Sequence, residues 1–383
     1  MTDLRRIRID NFGLITQTAA GKMSRIQLGR SEIDILKRDI LSGLRSLQPA
    51  YQELCQYFDS SGKLAARVDI ADEPAECLSR PLRIYYNIEP RCNLNCNFCG
   101  TRDLHDWSID ASKEKEAFLL DQLAKAGTFQ VQLTGGEVFL RGRDLFKTLE
   151  YTHDLGLATL LGTNGVWRHI RDRGSFVREL AKFNHIIEIK VSIDGNREFH
   201  DSVRGHGTYD EAVKTLFDLS TAGIPTRINT TIFKNSCTIE QIEHLAQLAK
   251  KSNAGLQVIP ERSCGRAGGI STYELPHSTA LKAYTIRARK LREELGIPIS
   301  FNFDIFGGGR QLPNYDPGRP FSCGAGLWGF AVTHVGEVYP CGFAIEIGKP
   351  PRFLAGTITE ETSLLDIWLH SPVLREWRHA GKL

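Results

Sequence analysis

Between Leu82 and Leu295 the chain alternates short apolar runs with longer amphipathic ones, and few folds accept that rhythm. Leu82–Ile88, Gln130–Thr134, Ala158–Thr163, Ile186–Ser192, Thr226–Ile232 and Gly255–Pro260 read as strands. Helices are expected near Ala117–Ala126, Arg143–Leu155, Phe176–Lys182, Tyr209–Ala222, Ile239–Lys251 and Ser278–Leu295. Thr208-x-x-Glu211 and Thr238-x-x-Gln241 have the form of capping boxes and set two of those starts. Strand, helix and strand in succession make parallel strands joined by right-handed crossovers, so the class is α/β. In such folds chemistry gathers at the C-terminal ends of the strands.

Unusual residues stand at those ends. After the first strand comes Cys92-Asn93-Leu94-Asn95-Cys96-Asn97-Phe98-Cys99, a C-x3-C-x2-C loop. Three thiolates so close can converge on one small object, and iron–sulfur clusters are held by Cys thiolates. A cubane held by three leaves one iron with an open position. Zinc is the alternative, but its usual rhythm adds a second C-x2-C pair or a Cys/His mix, and neither follows. Thr134-Gly135-Gly136-Glu137 ends the second strand, and adjacent glycines let a backbone approach a ligand closely. Thr163-Asn164-Gly165 ends the third and Ser192-Ile193-Asp194-Gly195 the fourth, each with small hydrogen-bonding side chains that turn chemistry alone would also favour. His200-Asp201-Ser202-Val203-Arg204-Gly205 follows, with His200 read as structural.

The cysteine loop, with its aromatic Phe98 before the third Cys, resembles the cluster motif of the radical S-adenosylmethionine (radical SAM) superfamily. The six units resemble that family's partial (β/α)6 barrel. The resemblance implies a 4Fe–4S cluster on Cys92, Cys96 and Cys99, with the amino and carboxylate groups of SAM chelating the open iron. An electron from the cluster would cleave the sulfonium and yield a 5′-deoxyadenosyl radical that abstracts hydrogen. It further implies that Gly135, Gly136 and Glu137 meet the SAM amino group and that Arg204 meets its carboxylate. Thr163, Asn164, Ser192 and Asp194 would line the SAM and substrate pocket beside Phe98. Val258-Ile259-Pro260 resembles the segment beside the adenine.

The front of the chain is different. Arg6-Ile7-Arg8-Ile9-Asp10, Leu14-Ile15-Thr16 and Ser24-Arg25-Ile26-Gln27-Leu28 read as short antiparallel strands around Asn11-Phe12-Gly13 and Gly21-Lys22 turns. Ile33, Leu36, Ile40, Leu41 and Leu44 follow at helical spacing, and a second helix is expected over Tyr51–Phe58. Residues 1–80 thus read as a winged-helix-like module that ends in a polar linker, Ser60 to Pro81. Its element order resembles the recognition element of enzymes that modify ribosomally made peptides, in which an extended leader adds a strand to the sheet edge. The plain alternative is an extension that covers one edge of the barrel. Residues 81–297 form the core.

Residues 298–383 read as a small α+β extension. Cys323-Gly324-Ala325-Gly326 and Val338-Tyr339-Pro340-Cys341 flank a hairpin expected to turn at Val335-Gly336-Glu337. This resembles the first half of a SPASM or twitch auxiliary-cluster domain, as does Gly265-Arg266-Ala267 beside Cys264. No Cys follows Cys341, and two do not fill the four iron sites of a cubane. An auxiliary cluster on Cys323 and Cys341 would need Cys264, another protein or a non-Cys ligand; otherwise both are packing residues.

Composition narrows the rest. A net charge of +3 over 383 residues is too small and dispersed for nucleic acid. No apolar run reaches membrane-spanning length. Thiols that hold a cluster need a reducing compartment, so a cytoplasmic protein is expected. The resemblances together imply a radical SAM enzyme that abstracts hydrogen from a residue of a precursor peptide held through its leader. Crosslinking, thioether formation, epimerisation or backbone excision would follow. Its partners would be the peptide, an electron donor protein and a small accessory protein. The alternatives are the same chemistry on a small metabolite or on another enzyme's active-site residue, and a non-catalytic peptide scaffold.

Overall fold

The computed structural model describes residues 5–10, 13–18, 21–26, 33–34, 36–38, 57, 66–70, 78–100, 112–261, 278–301, 325–346 and 353–380. Strands β1 (Arg6–Asp10), β2 (Gly13–Gln17) and β3 (Met23–Ile26) form the antiparallel meander that the alternation predicts. A fourth strand, β4 (Arg67–Ile70), pairs parallel with β1 and gives the order β3-β2-β1-β4. It lies in the stretch read as a linker. Most of the two helices expected before it lies outside the described residues, as do Cys55, Cys77, Cys264 and Cys323.

The front sheet is bolted to the start of the core. Arg6 and Arg8 are both buried and project from the same face of β1. They donate to the carbonyls of Thr128 and Gly127, Arg8 also reaches Arg80 O at 2.9 Å, and both guanidinium groups lie over Phe129 at 4.3 and 4.6 Å. In the β2–β3 turn Gly21 takes a positive φ of 74°, and a Cβ there would overlap the Ile187 side chain. Gln130 Nε2 donates to Gly21 O at 2.6 Å and to Gln17 Oε1 at 3.1 Å. Gln130 opens its strand and Ile187 stands near the start of another, so the front sheet closes the N-terminal end of the core.

The core strands are β5 (Arg83–Glu89), β6 (Gln130–Gly135), β7 (Ala158–Thr163), β8 (Ile186–Ser192), β9 (Thr226–Ile232) and β10 (Gly255–Pro260), all parallel neighbours in that order. Two more parallel strands flank them: β11 (Ile299–Phe301) beside β10, and β12 (Gly329–Thr333) beside β5. The six-stranded expectation therefore grows to eight, and both additions come from the stretch read as a separate extension. β13 (Glu337–Tyr339) and β14 (Gly356–Thr357) continue past β12 as antiparallel partners, with Gly336 in the expected turn. The last helices, Leu364–His370 and Pro372–Ala380, are tied back by Trp368 Nε1 to Leu78 O at 2.7 Å and Arg378 Nε to Gly326 O at 2.8 Å.

Helices Lys113–Lys125, Asp144–Asp154, Arg173–Leu180, Thr208–Thr221, Ile239–Lys251 and Ser278–Leu295 lie near where periodicity puts them. Two local expectations need correction. Thr208 is the first helical residue rather than a cap, and Asp201 takes the orphan N–H groups of Gly207 and Tyr209 instead. Thr238 does cap its helix, but Gln241 Oε1 accepts from Asn196 N–H, so that box is half formed.

Alternate strand residues such as Ile84, Leu133, Val191, Ile228 and Leu256 are buried in one apolar core. The other set is polar. Lys190 Nζ lies 3.2 Å from Gln132 Oε1, Arg227 Nε 2.6 Å from Glu188, and Arg227 Nη1 3.2 Å from Ser300 Oγ. Each of the links from Lys190 and to Ser300 jumps over an intervening strand, so these residues share one inner face. Among the described residues no helix is long and apolar enough to cross a membrane.

Candidate active site

The cysteine loop leaves β5 and is strapped to three neighbours. Gly136 N–H donates to Glu89 O at 2.7 Å and Glu137 N–H to Arg91 O at 2.8 Å. A Cβ on Gly136 would overlap the Arg91 carbonyl, so this glycine permits two backbones to touch; the ligand that sequence reasoning placed there is not needed to explain it. Asn93 Nδ2 donates to Val166 O at 2.7 Å, beyond the β7 tip. Asn97 reaches the end of helix Arg197–Arg204 through its N–H to Val203 O at 3.1 Å and its Nδ2 to Ser202 O at 3.3 Å. Neither asparagine was singled out from sequence, where only the loop's richness in Asn hinted at them.

Cys92, Cys96 and Cys99 are each half-buried, and Cys99 N–H turns back to Cys96 O at 3.3 Å. Burial pushes the Cys92 thiol up to about 11, and the charges of Glu137, Cys96 and Cys99 push the same way. The three sulfurs therefore feel one another. The donors this loop offers are three Cys sulfurs, and a cubane takes one thiolate at each of three irons. The loop fits that group.

Two motif side chains turn away from the mouth. Glu137 is fully buried and accepts from Phe139 N–H at 3.0 Å, Thr163 Oγ1 at 2.8 Å and Asn164 N–H at 2.6 Å. Burial still raises its pKa to about 7. Thr163 Oγ1 also accepts from Gly165 N–H and Trp167 Nε1, both at 3.0 Å. These contacts knit the β6 and β7 tips together, and they occupy side chains that the family resemblance would aim at SAM.

Asp194 and Arg204 form the other half of the mouth. Arg204 Nε meets Asp194 Oδ2 at 2.6 Å, while its guanidinium lies 5.1 Å over the Phe98 ring. Burial opposes the Arg204 charge, but Asp194 and the Cys96 sulfur hold its pKa above the ordinary value. Phe98 also meets Phe233, at the end of β9, edge to face at 4.9 Å. His200 is buried, and its Nδ1 accepts from Asp194 N–H at 3.1 Å; burial lowers its pKa to about 4. That neutral ring is structural, as read. Ser192 is half-buried at the β8 tip.

Glu261 was passed over in the sequence because nothing there marks it. It follows β10, is 2% exposed, and neither carboxylate oxygen has a partner among the described residues. Burial raises its pKa to about 7. Cys341 is half-buried between β13 and the short helix Gly342–Glu346, and its expected companions Cys323 and Cys264 lie outside the described residues.

A three-cysteine loop on parallel strand tips, strapped to a Gly-Gly-Glu turn and facing an arginine, is the arrangement of one enzyme class. Residues 86–249 match the family model described as the radical SAM superfamily, so this part of the chain is a radical SAM domain. Members of that family use a 4Fe–4S cluster and SAM. Mycofactocin maturase MftC of Mycolicibacterium smegmatis is 29% identical over 309 residues, 79% of this chain and 73% of that one. An AdoMet-dependent heme synthase of Methanosarcina barkeri is 27% identical over 79% of this chain and 86% of its own. The fold is shared with Streptococcus suis SuiB, solved bound to precursor peptide SuiA, at a TM-score of 0.70 and 19% identity over 99% of this chain and 90% of that one.

Proposed function

We propose that this enzyme modifies a ribosomally synthesised precursor peptide, held by its leader on the front sheet while a core residue reaches the mouth of the parallel sheet. The observation that carries the reading is the front sheet itself: a four-stranded sheet with β3 at its margin among the described residues, hydrogen-bonded to the radical SAM domain. A strand laid beside β3 would gain main-chain hydrogen bonds without further folding. The likeness to a mycofactocin maturase and to a fold solved with its precursor peptide supports it.

Cys92, Cys96 and Cys99 would hold the cluster. With SAM bound, cluster and SAM together supply a 5′-deoxyadenosyl radical able to abstract a substrate hydrogen. The chain's own part is placement. The Gly135–Gly136 main chain and Ser192 would border the space over the loop, and the Arg204 guanidinium, gripped by Asp194 through Nε, would offer its remaining N–H groups to a carboxylate. Phe98 and Phe233, in edge-to-face contact, would help to shield that space from water. An electron donor protein, a small accessory protein and a cytoplasmic location belong to this proposal, as does an auxiliary cluster near Cys341. Residues 1–80, 81–297 and 298–383 would serve as recognition, catalytic and auxiliary parts.

The test starts from a search for a short reading frame beside the gene; its peptide is supplied whole, as leader alone and as core alone to anaerobically reconstituted protein. The whole peptide should be modified as 5′-deoxyadenosine appears, and the leader alone should bind and compete. Loss of the leader should weaken processing at least about tenfold, or about 1.4 kcal/mol. Undiminished processing of the core alone, or of a small metabolite with no peptide, sinks the peptide reading.

A further inference from the structure

We infer that Asn164 donates an N–H···S hydrogen bond to the sulfur of Cys92 and thereby raises the reduction potential of the cluster that Cys92 would hold. The family resemblance gives Asn164 to SAM. Its contacts point elsewhere.

Asn164 stands at the end of β7, 7% exposed and fixed on every side. Its N–H donates to Glu137 Oε2 at 2.6 Å. Its Oδ1 accepts from Val166 N–H at 2.8 Å, and a main-chain N–H can only donate. That contact settles which end of the amide is which, a choice otherwise open for asparagine. Nδ2 must then face the cysteine loop, where it lies 2.8 Å from Asn93 Oδ1 and 3.7 Å from Cys92 Sγ. An amide nitrogen has two hydrogens. One serves Asn93, the other is left for the sulfur, and none remains for a further ligand.

The electrostatic consequence has a definite sign. One-electron reduction adds negative charge to a cluster and its thiolates, so a donor aimed at a ligand sulfur stabilises the reduced form more than the oxidised one. Hydrogen bonds to the sulfurs are among the factors that set such potentials. Cys92 needs that help more than a solvated thiolate would, because it is half-buried and the Asn164 amide is the side-chain donor placed against it. Asn93 acts one step back. It accepts from Asn164 and is itself held by Val166 O, which keeps the Nδ2 hydrogens in direction.

The inference rests on Cys92 being a cluster ligand, and the experiment separates the two. Iron and sulfide are counted in reconstituted wild type, Asn164→Ala, Asn164→Asp and Cys92→Ala, and midpoint potentials are measured without SAM by EPR-monitored redox titration. Asn164→Asp keeps the acceptor for Val166 and loses the donor. Both Asn164 variants should keep a cluster whose midpoint is more negative. At the wild-type midpoint their reduced fraction should fall from a half to about a tenth, ~59 mV for a one-electron couple. Full iron with an unmoved midpoint in both overturns the inference and leaves the ligand assignment standing. Undiminished cluster in Cys92→Ala overturns the assignment itself. Should the Asn164 variants lose iron, the wild type still decides. Its reduced cluster must couple to an exchangeable proton that 15N labelling of asparagine assigns to a side-chain amide, and absence of that coupling overturns the inference.

Discussion

The Nε of Arg204 lies 2.6 Å from Asp194 Oδ2, and the other oxygen of that carboxylate accepts Thr231 N–H at 2.7 Å. Asp194 is wholly buried, so the pair works as a bracket: β9 positions the carboxylate, the carboxylate positions the guanidinium, and the guanidinium covers Phe98. Resemblance aims both residues at SAM. In the proposed function Asp194 would be the holder and Arg204 the hand.

Asp194→Asn should therefore act in two ways. Removing one partner of a buried pair costs about 3 kcal/mol, seen as a lower urea midpoint. The cysteine loop keeps its asparagine straps, so iron uptake should persist while SAM affinity, measured by equilibrium dialysis, falls. Equal SAM affinity in variant and wild type would show that Arg204 has no need of the bracket.

Gly136→Ala tests the glycine reading. Its methyl group would drive into the Arg91 carbonyl just before Cys92. Overpacking of this kind costs about 1–3 kcal/mol, and the displaced loop should take up less iron on reconstitution. Normal iron content would place the need for glycine elsewhere.

Gly21→Val should pry the front sheet from the core, because it meets Ile187 and forces a β-branched residue to positive φ. A loss of about 2 kcal/mol is expected in denaturant unfolding. Leader binding should weaken with it, while SAM cleavage without peptide, which depends on the opposite end of the strands, should hold.

Glu261→Gln carries a pH signature. The folded protein holds this proton up to about 7, whereas an unfolded glutamate releases it near 4.5. Between those values the native state binds more protons, so the group's contribution to stability falls as pH rises and is level above. The variant should match wild type near pH 4 and exceed it by about 3 kcal/mol at pH 8. A gap that does not change with pH would mean that Glu261 finds a partner in solution.

The six core strands could be read from sequence because each buries one face under helices, and burial writes itself as Ile84, Val131, Leu161, Ile189 and Leu256. β4 escaped because four residues between polar stretches carry too little pattern. Helix Arg197–Arg204 escaped because Asn196 starts it and only Phe199 and Val203 give it an apolar edge. The pairing of β12 with β5 joins residues far apart in the chain, and no local signal encodes it. At the site, residue types were legible and directions were not. Glu137 and Thr163 stand out in a motif, but only the structure shows their contacts with Asn164 and Trp167.

The way Gln17, Gly21 and Arg8 seat on Gln130, Ile187 and Phe129 makes the front module a poor cassette. Truncating it would strip the stopper from the core, so lost turnover in a shortened protein would say nothing about peptide reading. Chimeras that swap leaders between enzymes of this kind would have to carry the socket along with the plug.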